Sequence, residues 1–84
     1  MKLVFSERAW EDYLHWQAQD EKILERVNTL IRETSSTPFL GAVKPEPLRG
    51  SLSGWLSRRI TQEHRLVYRV QDEALQIAQC RYHY

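Results

Sequence analysis

The sequence is poor in cysteine and has no long apolar run. Its 84 residues include one cysteine, Cys80, so an intramolecular disulfide and a multi-cysteine zinc site are both excluded. No apolar segment approaches the roughly 18 residues of a membrane helix, and charged residues follow Met1 too soon for a signal-peptide core. We therefore expect a cytoplasmic protein that does not associate with membranes and is stabilised by packing alone.

Proline and glycine are also scarce, and both are confined to one segment. The three prolines and the three glycines all lie between residues 38 and 54, which predicts one long loop. Loops of more than about 12 to 15 residues are uncommon in compact domains and are usually functional or disordered. Residues 1–84 form a single small domain in this prediction. In a domain of this size we expect the long loop to be functional rather than disordered.

Before this loop, the pattern predicts a short strand and two helices. The apolar residues 2–5 are too few for a helix, and Ser6 is a suitable N-cap for a helix that ends near Gln19. Asp20 can cap the second helix in the same way. Residues that recur at helical spacing are expected to face the core: Trp10, Tyr13, Leu14 and Gln17, with Trp16 beside them, in the first helix, and Ile23, Leu24, Val27, Leu30 and Ile31 in the second.

After the loop, alternating and β-branched residues predict three strands, at residues 55–61, 65–70 and 75–82. The short connections between them favour an antiparallel meander, with the helices covering one face of the sheet. The expected fold is therefore α+β: a short N-terminal strand, two helices and an antiparallel sheet meander. Alternation assigns the residues of the open face: Trp55, Ser57 and Arg59, then Arg65, Val67 and Arg69, then Arg81 and His83.

The net charge of +1 conceals a difference in sign between the two halves of the chain. Residues 1–37 carry five basic and seven acidic side chains, whereas residues 38–84 carry seven basic and four acidic ones. Six of the seven basic residues in the second half are arginines, whose planar guanidinium matches the geometry of phosphate. This basic half indicates a polyanionic partner such as nucleic acid, although arginines on a sheet face are often merely solvated.

Two residues of the second half have the properties of a general base and a general acid. Glu46 lies between Pro45 and Pro47, which restrict its backbone to an extended conformation. That restriction would hold a base in place, with a rigid surface turn as the alternative. Histidine is the side chain suited to proton transfer near neutral pH, which makes His83 a candidate acid, although a histidine that merely ends a strand is common. Both residues are therefore candidates for acid-base catalysis.

Arginines flank the first hairpin turn of the predicted sheet. Arg58, Arg59 and Arg65 would come close together there, and their repulsion would be relieved either by a bound anion such as phosphate or by salt bridges. The acids available for such bridges are Glu63, Asp72 and Glu73. The cluster is therefore a candidate phosphate site.

Cys80 and His83 form the Cys-x-x-His half of a zinc site. The remaining histidines, His15 and His64, are not spaced to complete it, so we expect neither a metal nor a cofactor. Cys80 itself is expected to be a small buried hydrophobe.

A base, an acid and an arginine cluster are the parts required to cleave RNA without a metal. The 2′-hydroxyl of RNA lies beside the scissile phosphate and can supply the nucleophile. An enzyme then has to deprotonate that hydroxyl, protonate the leaving 5′-oxygen and stabilise the charge on the phosphorane. The candidate residues therefore suit a ribonuclease.

Four motifs in this half also resemble those of a known family. They are Lys44-Pro45-Glu46-Pro47-Leu48, Ser57-Arg58-Arg59-Ile60-Thr61, Glu63-His64-Arg65-Leu66-Val67-Tyr68 and the C-terminal Cys80-Arg81-Tyr82-His83-Tyr84. In order and spacing they resemble the YoeB toxins of the RelE/ParE superfamily. The likeness extends through essentially the whole chain.

The resemblance implies a RelE-like, microbial-ribonuclease-like fold and a bacterial type II toxin that cleaves mRNA in the ribosomal A site and so inhibits translation. It implies Glu46 as the general base, His83 as the general acid and Arg65 as the residue that stabilises the transition-state phosphate. It further implies four substrate-binding residues: Lys44, Arg49, Arg59 and Tyr84.

The same resemblance implies the partners of the protein. These are mRNA and the ribosome, a YefM-like antitoxin, and a second copy of the chain in a homodimer. DNA would be contacted only through the complex with the antitoxin, in which the pair represses its own operon.

Two positions depart from the family pattern. Arg49 stands where lysine is common, and Trp55-Leu56 reverses the expected order, in which the large aromatic residue directly precedes Ser57. One place along a strand changes the face to which a side chain points. We therefore expect the tryptophan to differ from the family in its packing or its substrate contacts.

A function from another class would use the same basic surface without chemistry. A non-enzymatic module that binds RNA, the ribosome or an antitoxin needs the arginines, but it needs neither Glu46 nor His83. Translation arrest that leaves the message uncut is the observation typical of such a module.

Overall fold

The computed structural model describes all 84 residues as a five-stranded sheet with two helices. The elements follow the order β1 (Lys2–Phe5), α1 (Glu7–Gln19), α2 (Glu21–Ser36), β2 (Glu46–Pro47), a 3₁₀ turn (Gly50–Leu52), β3 (Leu56–Arg59), β4 (Arg65–Gln71) and β5 (Ala74–Gln79). The α+β prediction is therefore confirmed. Neither helix is long and apolar enough to cross a membrane.

Both helices begin where the capping residues predict. The Ser6 hydroxyl accepts a hydrogen bond from the N–H of Ala9 at 3.0 Å, and a carboxylate oxygen of Asp20 accepts one from the N–H of Ile23 at 3.1 Å. Asp20 also closes α1, because its own N–H donates to the carbonyl oxygen of Trp16 at 3.0 Å. A single residue therefore ends the first helix and begins the second.

The prediction for the buried face of α1 is right in part. Trp16 is buried and Tyr13 packs against the core, as predicted, whereas Trp10 and Leu14 are 49% and 41% exposed. Ala9 and Asp12, which the prediction did not include, are buried beside Trp16. The sequence does not reveal this face because it combines one small residue, one carboxylate and one indole. Asp12 is tolerated there because its carboxylate accepts a hydrogen bond from a backbone N–H just after β5, at 3.1 Å.

The predicted apolar face of α2 is confirmed and lies at the centre of the core. Val27, Leu30 and Ile31 are buried, and the buried Thr34 follows one turn later. The core continues into the sheet through Leu66, Tyr68, Leu75 and Ile77. Because a fully buried aliphatic or aromatic side chain contributes roughly 1.5–3 kcal/mol, this cluster supplies most of the stability of the fold.

The strand order is β1-β5-β4-β3-β2, so the predicted meander forms the centre of the sheet. Its neighbouring strands are antiparallel, as predicted, whereas β1 pairs in parallel with β5. Asp72 and Glu73 form the two-residue turn between β4 and β5, with φ angles of 55° and 58°. Positive φ at both positions is typical of a type I′ hairpin turn.

Three predicted boundaries are wrong, and one of them is the end of the first meander strand, which lies at Arg59 rather than at residue 61. The segment 38–54 is not one uninterrupted loop, because Glu46 and Pro47 pair with β3 as a two-residue strand. Proline is tolerated in this strand because β2 is at the edge of the sheet. The last strand ends at Gln79 rather than at residue 82, since Tyr82 has a φ of 64° that a strand does not accommodate.

The face opposite the helices is not fully open, and one of its side chains binds the C-terminal tail (residues 80–84). Ser57 and Val67 share this face, as predicted, but both are wholly buried. Gln79, the register partner of Val67, donates hydrogen bonds from Nε2 to the carbonyl oxygens of Arg81 and Tyr82 at 3.1 and 3.4 Å. The side chain of Arg81 turns away instead, with its guanidinium carbon 5.9 Å from the centroid of an α1 indole ring.

Candidate active site

A cleft of about 330 Å³ lies where α2, the segment before β2, and strands β2, β3 and β4 meet. Its seven lining residues are Arg26, Ala42, Val43, Lys44, Glu46, Arg59 and Arg65. Four of the residues predicted to form the site are among them: Lys44, Glu46, Arg59 and Arg65. The fold thus brings one carboxylate and four cationic side chains together from five parts of the chain.

Glu46 reaches this cleft on a short edge strand. It pairs with Ser57 of β3, and the prolines on both sides limit the strand because proline lacks the N–H that would extend the ladder. The Glu46 side chain is exposed and forms neither a hydrogen bond nor an ion pair with the protein. Both carboxylate oxygens are therefore free to accept a proton from a ligand.

Arg59 and Arg65 occupy directly opposite positions in the β3–β4 register. The one ion pair in the structure joins Arg8 to Asp12, so the salt bridges that the sequence allowed for the arginine cluster are absent. The Nε of Arg65 is buried without a hydrogen-bond partner, which costs roughly 1–3 kcal/mol. Unpaired guanidinium donors beside a cleft favour the alternative of a bound anion.

Arg58 does not belong to this cluster, contrary to the prediction, because it points to the other side of β3 and is wholly buried. Its Nε donates to the hydroxyl of Tyr68 at 3.0 Å, and Nη2 donates to the carbonyl oxygens of Thr37 and Leu40. At Gly41, where φ is +128°, an added Cβ would lie 2.9 Å from Arg58 Nη1. Arg58 therefore fixes the chain that leads into the cleft wall at residues 42–44.

Arg26 lines the cleft although it is not among the predicted site residues. It projects from α2, and its Nε donates to the carbonyl oxygen of Ile60 at 3.3 Å, which holds the guanidinium beside the end of β3. A signal was present in the sequence, because Arg26 lies three residues after Ile23 and four before Leu30. A basic residue at that spacing borders the apolar face of a helix and therefore faces the sheet.

The other predicted site residues do not line the cleft. Arg49 is exposed at the start of the 3₁₀ turn, and His83 and Tyr84 are exposed at the end of the tail with their rings 4.6 Å apart. The N–H of Arg65 donates to the carbonyl oxygen of Tyr82 at 3.0 Å. His83 therefore directly follows Tyr82, whose carbonyl oxygen is hydrogen-bonded to the backbone of the cleft residue Arg65.

Cys80 and His83 do not converge on a common point. Cys80 is wholly buried and belongs to the core, as predicted, whereas His83 is exposed. Burial, and to a smaller extent the Asp12 carboxylate, raise the pKa of the Cys80 thiol to about 12. No group of three or more histidine, cysteine, aspartate or glutamate side chains is placed to share a metal ion.

Comparison with known sequences gives matches along the whole chain. Residues 5–84 match the family model of YoeB-like toxins of bacterial type II toxin-antitoxin systems. The toxin YoeB of Escherichia coli strain K12 is 60% identical over 84 residues, which covers 100% of both chains. The resemblance that the motifs indicate is therefore confirmed.

Solved structures agree with the sequence matches. A YoeB/ParE toxin from Agrobacterium tumefaciens has a TM-score of 0.96 and 51% identity, with 100% of both chains covered. A YoeB dimer and a YoeB–YefM complex from Staphylococcus aureus each have a TM-score of 0.91, at 42% and 41% identity, with 100% of this chain and 98% of theirs covered. This chain belongs to the YoeB-like toxin family of bacterial type II toxin-antitoxin systems.

Proposed function

We propose that the protein is an endoribonuclease that cleaves mRNA in the ribosomal A site and thereby inhibits translation. One observation carries this proposal: the unpaired carboxylate of Glu46 shares a cleft with the unpaired guanidinium groups of Arg59 and Arg65. A free carboxylate can remove a proton, and free guanidinium groups can bind a phosphate. Membership of a toxin family supports the consequence for translation.

In the proposed reaction, RNA supplies its own nucleophile. Glu46 accepts the proton of the 2′-hydroxyl, and the 2′-oxygen attacks the adjacent phosphorus. The bond from phosphorus to the 5′-oxygen breaks, and His83 donates a proton to that oxygen, leaving a 2′,3′-cyclic phosphate and a 5′-hydroxyl. Arg65, assisted by Arg59, stabilises the negative charge that develops on the phosphorane. These steps require neither a metal nor a cofactor.

The remaining basic residues act in substrate binding. Lys44 and Arg26 line the cleft beside Glu46 and contribute charge to phosphate binding. Arg49 and Tyr84 lie outside the cleft lining, on exposed segments, and contact parts of the substrate away from the scissile phosphate. The exposed tail brings His83 to the 5′-oxygen when the substrate is bound.

The proposed protein partners follow from the structures of relatives. The Staphylococcus aureus toxin forms a complex with YefM and also a dimer, so we propose a YefM-like antitoxin and a homodimer for this chain. Contact with DNA is proposed only through the complex with the antitoxin. Ribosome binding is proposed because a ribosome would present the mRNA to the cleft as an extended single strand.

Primer extension on a defined mRNA tests the proposed function. The purified protein is incubated with the message, with and without ribosomes that carry a vacant A site. A discrete cut that requires ribosomes, and that is lost in Glu46→Ala, Arg65→Ala and His83→Ala, is the expected result. An uncut message in the presence of bound ribosomes contradicts the proposed cleavage.

The position of His83 supports a second candidate function, a non-enzymatic module that binds RNA, the ribosome or an antitoxin. His83 is exposed and is not part of the cleft lining, so the basic cleft could bind RNA without a proton donor. Such a module arrests translation without cutting the message, and the arrest weakens steeply with salt because phosphate contacts are lost. Retention of arrest by Glu46→Ala and His83→Ala would identify it.

A further inference from the structure

The order of Trp55 and Leu56 places an indole on the arginine-bearing face of the sheet. Leu56 packs against the core on the helix side, so Trp55, one position earlier, points to the opposite face. The register that pairs Leu56 with Tyr68 brings Trp55 next to Arg69. The guanidinium carbon of Arg69 lies 4.4 Å from the centroid of the Trp55 ring, which is a close cation–π contact.

Arg69 is held on its other side by the neighbouring strand. Its Nε donates a hydrogen bond to Oε1 of Gln76, its register partner on β5, at 2.6 Å. Its two terminal nitrogens form no hydrogen bond, and no carboxylate lies within 4.0 Å of them. The guanidinium is therefore fixed between two strands with its fork free, an arrangement that suits bidentate recognition of a phosphate.

Arg69 lies on the same strand as the cleft residue Arg65. Arg65 and Arg69 project from the same face of β4, because residues that are an even number of places apart share a face. Four residues of strand span about 13 Å, so phosphates bound at the two arginines would be a few nucleotides apart on a single strand. A single strand whose scissile phosphate lies at Arg65 can therefore pass over Arg69.

We propose that Trp55 and Arg69 form a second RNA subsite, which binds a backbone phosphate about 13 Å from the scissile one. The subsite rests on the proposed function, because it requires RNA on this face of the sheet. Its phosphate comes either from the message or from ribosomal RNA. RNA is favoured over an acidic protein segment because Arg59 and Arg65, which line the cleft of the proposed reaction, project from the same face of the sheet as Arg69, so one RNA strand can contact all three arginines.

Equilibrium binding measured at several salt concentrations tests this subsite. The full chain is compared with Arg69→Gln and Trp55→Leu on two probes: a single-stranded RNA of roughly 12 nucleotides, 2′-O-methylated throughout so that it cannot be cleaved, and ribosomes without message. Arg32→Gln, on an exposed position of α2, is the matched control because it removes the same charge. Unfolding midpoints of all variants establish that the fold is intact.

We expect Arg69→Gln to weaken binding roughly 10-fold and to lower the slope of log affinity against log salt by about 0.7, the value for one phosphate of a single strand. Trp55→Leu should weaken binding less, since the charge remains while its orientation is lost. A loss on the oligonucleotide assigns the phosphate to the message, and a loss on ribosomes alone assigns it to ribosomal RNA.

Three results overturn the subsite. If Arg69→Gln retains the affinity and the salt slope of the parent, or changes them no more than Arg32→Gln does, Arg69 binds no phosphate. If Arg69→Gln weakens the binding of a polyglutamate peptide but not of either RNA probe, the surface serves a protein instead. If the parent binds neither RNA probe, the proposed function fails together with the subsite, an outcome distinct from failure of Arg69 alone.

Discussion

The Nδ1 atom of His64 accepts a hydrogen bond from the backbone N–H of Tyr82 at 2.8 Å. An accepting Nδ1 carries no proton, so this imidazole is neutral with its proton on Nε2. The ring also stands edge-on to the indole of Trp16, with centroids 4.7 Å apart. His64 therefore holds the tail in place one residue before His83, the proposed general acid.

Loss of this hydrogen bond should impair cleavage more than substrate binding. His64→Ala removes the acceptor, so the tail that carries His83 is held less firmly and kcat should fall roughly 10- to 100-fold, with a smaller rise in KM because Tyr84 is on the same tail. His64→Asn places an oxygen near the position of Nδ1 and should restore most of kcat. Rates on programmed ribosomes at saturating and limiting ribosome concentrations separate the two parameters. Equal activity of parent, His64→Ala and His64→Asn would show that the hydrogen bond does not position His83.

The turn between β4 and β5 is a site where one substitution should stabilise the fold. Glu73 has a φ of 58°, a conformation that is unfavourable for residues with a Cβ and that glycine adopts readily. Glu73→Gly should therefore raise the free energy of unfolding by about 0.5–1 kcal/mol. Gln71→Gly, at the end of β4, is the control and should destabilise by a similar amount. A lower midpoint of urea unfolding for Glu73→Gly would be inconsistent with the type I′ turn.

The buried thiol predicts a loss of stability at alkaline pH. The folded state raises the pKa of Cys80 from 9.0 to about 12, so the neutral thiol is favoured in the folded protein. This contribution is fully present below pH 9 and is lost as the pH rises towards 12, at up to about 1.4 kcal/mol per pH unit. The free energy of unfolding is measured across this range for the parent and for Cys80→Ala. Their difference gives the contribution of the thiol, because tyrosine and lysine titrate in both proteins and cancel. A difference that does not vary with pH would mean that the thiol ionises equally in both states.

Local signals in the sequence predict much of the fold. Ser6 and Asp20 fix the starts of both helices because a cap acts on N–H groups two or three residues away. Alternation assigns Arg59 and Arg65 to one face of the sheet, because the two-residue period of a strand depends only on neighbouring residues.

Contacts between distant residues could not be predicted in this way. The burial of Asp12 depends on a backbone N–H 68 residues later, and Arg58 is buried because it binds carbonyl oxygens of the segment after α2. The periodicity of the sequence predicts neither the parallel pairing of β1 with β5 nor the end of β5 at Gln79. Of the cleft, the sequence predicts Glu46, Arg59 and Arg65. Arg26 could have been identified from its spacing on α2, whereas the support from His64 requires the three-dimensional structure.

The assignment of Glu46 as the general base is tested most directly by the single-turnover cleavage rate of Glu46→Gln on ribosomes programmed with a defined message. This variant keeps the size of the side chain and one accepting oxygen but cannot accept the proton of the 2′-hydroxyl. We predict a rate at least 100-fold below that of the parent, in line with the usual contribution of general acid-base catalysis, with ribosome binding unchanged. Cleavage by Glu46→Gln at the parent rate would contradict the assignment of Glu46 as the base and, with it, the proposed mechanism.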